Sequence, residues 1–141
     1  MKRSARAHWQ GDLKRGHGVL TTESGALTDA GYSVPTRFGN ERGTNSEELI
    51  AAAHAGCFSM ALAYVLEQAG TPPVDIQASA DLFFENQDAR WTVTGVHLKV
   101  TAKVPGASEE AFQNLAEVAK RECLVSRLIK VEVTLDARLE A

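Results

Sequence analysis

The chain has 141 residues, with 44% hydrophobic and 23% charged side chains, which suits one domain over residues 1–141 with a core of its own. Its formal net charge of −3 removes any electrostatic reason to expect nucleic acid or an anionic membrane as partner. The basic residues at the start, Lys2, Arg3 and Arg6, precede no hydrophobic run of the kind that makes a signal peptide. A cytoplasmic protein is the expectation. There, the two cysteines, Cys57 and Cys123, are less often a structural disulfide than core, metal or redox residues.

Taken in order, Ala5 to Trp9 reads as a first strand ended by a Gly11-Asp12 turn, and Gly16 to Glu23 as a second. Ser24-Gly25 then reads as a tight turn into a third strand at Ala26 to Thr28. Together these predict an antiparallel meander. Tyr32 to Phe38 is expected to be extended, with Pro35 arguing against a central strand.

The longest unbroken pattern follows. Thr44 with Glu47 and Asn45 with Glu48 are two overlapping capping signals, and both acids suit the positive end of a helix dipole. No proline interrupts the run until Pro72 and Pro73, just beyond Gly70. This predicts a helix from about Glu47 to Ala69, about 35 Å long. Only Glu47, Glu48 and Glu67 are charged in it, so nearly all of its circumference must be covered. It approaches membrane-spanning length, but the flanking acids and the embedded His54 favour a buried helix in a soluble protein.

Asp75 to Glu85 reads as a strand, followed by a polar turn at Asn86 to Ala89 and a long alternating strand from Trp91 to Val104. Val96, Leu98, Val100, Ala102 and Val104 share one face of it, opposite His97, Lys99, Thr101 and Lys103. A long antiparallel hairpin is the simplest connection. Ser108, Glu109 and Glu110 open a second helix whose apolar positions Phe112, Leu115, Ala116 and Ala119 keep helical spacing. Leu124 to Ile129 is a candidate short helix, and Lys130 to Leu139 a last alternating strand. The predicted class is α+β, with helices on one side of antiparallel sheet; antiparallel sheets packed around a long central helix are what the family resemblance given below implies. If the sheet's other face is also apolar, or the helix is too greasy for one small sheet to cover, two chains must share a core, and a homodimer is the expectation on that ground.

The residues with reactive potential are Cys57, Cys123, His54, Glu47 and Arg37. Burial in an apolar helix raises a thiol's pKa unless a cation is close. Arg37 is a candidate for that cation, with Glu47 to hold it. Glu47 and Cys57 are ten residues apart, about 15 Å of helical rise and about 80° around the axis, which no single side chain bridges. Service of Cys57 by Glu47 therefore needs a second subunit packed antiparallel, or a broken helix. The plain alternative for Glu47 is helix capping. His54 and Cys57, with Cys123 and a carboxylate, form an alternative metal-ligand set, weakened by the lack of tight ligand pairs in loops; a core histidine is the plainer reading of His54. There is no phosphate-binding glycine loop and no serine nucleophile elbow.

Several runs together resemble the OsmC family, the osmotically inducible proteins and their sisters, the organic hydroperoxide resistance proteins. They are Ala7 to Gly16, Thr36-Arg37-Phe38, Gly43 to Ala61 with its His54-Ala55-Gly56-Cys57, and Cys123-Leu124-Val125-Ser126. The arginine placed in Thr36-Arg37-Phe38 is similar to the osmotically inducible branch. The resemblance implies a thiol peroxidase that uses neither metal nor flavin and defends against oxidative and osmotic stress. In it Cys57 matches the peroxidatic cysteine, which becomes a sulfenic acid, and Cys123 the resolving cysteine that closes a disulfide with it. Arg37 matches the thiolate-stabilising arginine and Glu47 the acid that orients it. An intertwined homodimer, an organic hydroperoxide substrate and a dithiol reductant, a lipoylated protein in several members, are implied as well. A non-turnover redox sensor or ligand-binding protein on the same scaffold is the alternative. One departure stands out: the family usually places proline after the resolving cysteine, and here Leu124 restores a backbone N–H and loosens that turn.

Overall fold

The structure, a computed structural model, describes all 141 residues, and the chain forms two compact units, Met1–Leu49 and Ile50–Ala141. In the first unit, β1 (Ala5–Gln10), β2 (His17–Thr22) and β3 (Ala30–Tyr32) form an antiparallel sheet in that order. Gly18 lies where an added Cβ would come within 2.5 Å of the Tyr32 ring and 2.8 Å of Trp9, so only glycine lets those two aromatics meet across β2, 5.5 Å between centroids.

Two expectations fail in this unit. The third strand is not at Ala26–Thr28. Leu27 closes a turn instead, its carbonyl accepting from the Thr22 N–H at 2.9 Å and its N–H donating to the Thr22 hydroxyl at 3.1 Å. Nor is Tyr32 to Phe38 extended throughout, since Val34–Phe38 is a short helix, α1. Pro35 sits in its first turn, where a missing N–H costs nothing, and Ser33 and Thr36 cap it reciprocally.

The long helix α2 (Ser46–Gln68) starts in the first unit and continues into the second. After it come β4 (Asp75–Gln87), β5 (Arg90–Lys103), α3 (Glu109–Glu122), α4 (Leu124–Leu128) and β6 (Val133–Glu140). The β4–β5 hairpin forms as predicted, in register from Asp75 with Lys103 to Gln87 with Arg90 and with a bulge at Phe83/Phe84. Asp88 and Ala89 carry it round at positive φ of 51° and 65°, the two left-handed positions of a primed hairpin turn.

The sheet is not wholly antiparallel, because β6 pairs with β5 in parallel, from Val96 with Val133 to Lys103 with Glu140. α3 and α4 make the crossover that returns the chain to the same end of the sheet. Alternation along β6 reveals which face is buried and is silent on direction.

The apolar face of β5 is buried as expected, and Val96, Leu98, Val100, Ala102 and Val104 join Phe58, Leu62 and Leu66 of α2 and Phe112, Ala116 and Ala119 of α3 in one core. His54, Phe58, Leu62 and Leu66, four residues apart, are fully buried. The opposite stripe of α2 is bare, with Ile50, Met60 and Tyr64 exposed by 40%, 77% and 63%. By length and composition α2 meets the measure of a membrane span, at a mean hydropathy of 1.8. One side of it nevertheless belongs to the core of the second unit. The expected covering of the whole circumference is thus achieved on one side only within a single chain.

Candidate active site

The first unit holds the arginine and its acid. Two capping signals competed in the sequence, and the structure separates their duties. Asn45 caps α2, its side-chain oxygen accepting from the Glu48 N–H at 2.7 Å, and the Thr44 hydroxyl donates to the Glu48 carboxylate at 2.8 Å. Glu48 is therefore the capping acid. Glu47 is left to pair with Arg37, whose Nε donates to both carboxylate oxygens at 2.9 and 3.1 Å while a terminal nitrogen lies 2.5 Å from Oε1. Such a forked pair fixes the guanidinium in orientation as well as position. α1 is held for this purpose by the Thr36 hydroxyl donating to the Thr44 carbonyl at 2.8 Å and by the Asn45 amide donating to the Thr36 carbonyl at 3.2 Å. The guanidinium also lies 4.9 Å from the centroid of the Phe38 ring.

The second unit holds both thiols. Cys57 comes from the middle of α2, and Cys123 is at once the last residue of the α3 cap and the N-cap of α4. The two are free thiols, brought together so that each acts on the other's ionisation. Cys123 is 1% exposed, whereas Cys57 is half-buried.

Burial pushes the Cys57 thiol up, but the N–H of Val125, the Cys123 thiol, the N–H of Leu124 and the charge of Arg127 outweigh it and hold Cys57 below an ordinary cysteine. The amides at the first turn of α4 are those a helix leaves without acceptors, and they act on the sulfur as they would on any anion. Cys123 is raised, first by burial and then by the neighbouring Cys57 sulfur, against the lowering N–H and hydroxyl of Ser126. The two thiols are thus pushed apart, Cys57 below and Cys123 above an ordinary cysteine. The Leu124 departure reads differently here: the N–H that leucine restores faces Cys57 and stabilises its thiolate.

His54, a candidate metal ligand, is fully buried, and its Nε2 lies 2.8 Å from the Ser126 hydroxyl. No three His, Cys, Asp or Glu side chains gather as a metal site would need. Sequence reasoning missed Ser126, Arg127 and the α4 amides. A signal for Ser126 was present in its place three residues after Cys123, the third position of any helix that Cys123 caps.

Comparison with known proteins finds relatives along nearly the whole chain. Over 139 residues, 99% of this chain and 97% of the relative, the sequence is 45% identical to the peroxiredoxin OsmC of Escherichia coli (strain K12). The fold is similar to the crystal structure of an organic hydroperoxide resistance protein OsmC from Legionella pneumophila, with a TM-score of 0.76 at 22% identity, covering 100% of this chain and 98% of that one. It is similar also to an OsmC-like protein from Mycoplasma pneumoniae, with a TM-score of 0.77 at 9% identity over 100% of this chain and 99% of that one. The sequence profile of the OsmC-like proteins matches residues 39–138, and the chain belongs to that family.

Proposed function

We propose that the protein is a thiol-dependent peroxidase that reduces organic hydroperoxides to alcohols. The observation that carries this is the Cys57–Cys123 pair, in which the more accessible thiol is the one held below an ordinary cysteine. A thiolate, not a thiol, attacks peroxide. Cys57 attacks the distal oxygen, a sulfur–oxygen bond forms as the O–O bond breaks, and the alkoxide leaves with a proton as the alcohol. Cys123 then attacks the sulfenic sulfur of Cys57, and a disulfide forms as hydroxide departs and is protonated to water. A dithiol reductant, of the lipoylated-protein type, restores both thiols by exchange. The relatives' names, peroxiredoxin and organic hydroperoxide resistance protein, support the same class. Leu124 and Leu128, exposed by 62% and 73%, supply apolar surface on α4, where each methylene of an alkyl hydroperoxide gains about 0.8 kcal/mol on burial.

Arg37, oriented by Glu47, is the cation for Cys57, and it comes from a second copy of the chain. α2 is unbroken between Glu47 and Cys57, and ten residues of helix are about 15 Å of rise. The bare stripe of Ile50, Met60 and Tyr64 supports a homodimer. So does Gly56, beside Cys57, where an added Cβ would meet nothing within 4 Å. A glycine in mid-helix costs about 1 kcal/mol against alanine, a cost that close approach of a second helix offsets. The setting is the cytoplasm, in oxidative and osmotic stress defence.

The test is intact mass after one equivalent of cumene hydroperoxide, with and without prior thiol blocking. Loss of two hydrogens, with Cys57 and Cys123 in one linked peptide and turnover with a dithiol, is the expected result. A persisting single added oxygen on Cys57 without turnover would favour a redox sensor. An unchanged mass would reject peroxide chemistry altogether.

A further inference from the structure

The buried pair His54–Ser126 is used by none of the steps above, yet its geometry is demanding. The imidazole is fully buried, its Nε2 is 2.8 Å from the Ser126 oxygen across 72 positions of sequence, and its Nδ1 has no partner at all. Burial depresses the imidazole's pKa, so the ring is neutral, with one N–H and one bare nitrogen. Two tautomers are open. With the hydrogen on Nδ1, a buried N–H donor is orphaned, and the Ser126 hydroxyl must spend its own hydrogen on Nε2. With the hydrogen on Nε2, the orphan is only a lone pair, the more tolerable of the two omissions, and Ser126 accepts from the ring. The Ser126 hydroxyl hydrogen is then free to point elsewhere. Ser126 sits in the first turn of α4, three residues after its N-cap, Cys123, whose side chain makes no capping hydrogen bond. His54 lies three residues before Cys57, so the His54–Ser126 bond ties together the two turns that carry the thiols, and the Ser126 N–H and hydroxyl are close enough to lower the Cys123 thiol.

We propose that His54 and Ser126 are a positioning pair for the resolving cysteine: Nε2–H of the buried imidazole donates to the Ser126 oxygen and so aims the hydroxyl hydrogen at the Cys123 sulfur. This rests on the reading of Cys123 as the resolving thiol. In the reduced protein burial first, and then the neighbouring Cys57 sulfur, push the Cys123 thiol up. Oxidation of Cys57 to the uncharged sulfenic acid removes the second of these. Cys123 then loses its proton with the Ser126 donors already in place, attacks the Cys57 sulfur, and the S–O bond breaks; the hydroxide takes up a proton and leaves as water. Of the charged and titratable groups around the pair of sulfurs, Arg127 acts on Cys57 from α4, and His54 stays neutral throughout. The peroxide step needs neither His54 nor Ser126; the disulfide step uses both.

The first measurement follows the thiolate absorbance of Cys123 against pH in the Cys57→Ser protein, where no resolution occurs. Adding Ser126→Ala should raise the midpoint by about one unit, and Ser126→Thr, which keeps the hydroxyl, should restore it. An unmoved midpoint in Ser126→Ala overturns the proposal. In the protein with both cysteines, one equivalent of cumene hydroperoxide is followed by rapid quench, trapping sulfenic acid with dimedone and reading disulfide by mass. Ser126→Ala should slow disulfide formation at neutral pH about tenfold more than it slows sulfenic acid formation. His54→Leu, which frees the Ser126 hydroxyl to turn, should slow the same step by less. Equal slowing of both steps would mean a packing role only and overturns the pair's assignment. Absence of any Cys57–Cys123 disulfide in the parent protein would reject the resolving role itself, a failure separable from an unmoved Cys123 midpoint.

Discussion

Replacing Leu124 by proline should remove one donor from the Cys57 thiolate while disturbing little else. Residue 124 is the first of α4, where an N–H has no helical acceptor to lose and where proline is well tolerated. Cys123 before it sits at φ −54° and ψ 127°, outside the α region that a following proline disfavours. The Leu124 side chain is 62% exposed, so its loss costs little packing. A hydrogen bond to a charged group is worth about 1.5–3 kcal/mol. The sulfur is half-buried and keeps the Val125 N–H, which places the effect just below that range, about 1.4 kcal/mol or one pKa unit. The assay is the rate of Cys57 alkylation by iodoacetamide against pH; Cys123, at 1% exposure, contributes only slowly. Leu124→Pro should raise the midpoint by about one unit and slow alkylation below it about tenfold, while Leu124→Ala, which keeps the N–H, should leave the midpoint in place. A midpoint unmoved or lowered by proline, or an equal shift with alanine, would refute the assignment of that amide to the thiolate.

Four further outcomes can be checked. Glu47→Gln should cost about 1 kcal/mol in urea unfolding, because the forked pair it breaks is half-exposed on the Arg37 side. Arg37→Met should slow sulfenic acid formation at least about tenfold in stopped flow; an unchanged rate would remove Arg37 from the site. His54 is held neutral below its ordinary value of 6.5 by burial, so the unfolded chain binds the extra proton. Its contribution is intact above pH 6.5 and is lost as pH falls through the lowered folded value, by up to about 1.4 kcal/mol per pH unit. Urea unfolding at neutral and mildly acid pH should show this slope, and His54→Gln should flatten it. Met60→Glu, on the bare stripe of α2 and 77% exposed, should convert a dimer to monomers in light scattering; a variant still dimeric would place the interface elsewhere.

Features governed by neighbours in sequence were legible without the fold. α2 was predicted within one residue at each end and is observed at Ser46–Gln68, because its cap, its first-turn acids and its glycine-proline stop are all local. The buried face of β5 and the Ser108 cap of α3, which accepts from the Ala111 N–H at 3.1 Å, are of the same kind. Proline misled at Val34–Phe38, since Pro35 forbids a central strand and a helix interior alike but is at home in a first turn. The candidate site residues were legible only as residue types and through a family resemblance.

What the chain's pattern could not carry is anything that depends on distant partners. Period-two alternation marked β6 as half-buried, yet only the crossover through α3 and α4 made it parallel to β5. Two adjacent acids looked equivalent, and only the approach of α1 decided that Glu48 caps while Glu47 holds Arg37. The sequence by itself determined where α2 and α3 begin and which faces are apolar, because those follow from short-range backbone chemistry. The tertiary structure alone decided that the first turn of α4 lies at Cys57, that Ser126 meets His54, and that one side of α2 is left uncovered. Each is a contact between segments far apart in the chain, fixed by packing rather than by local preference.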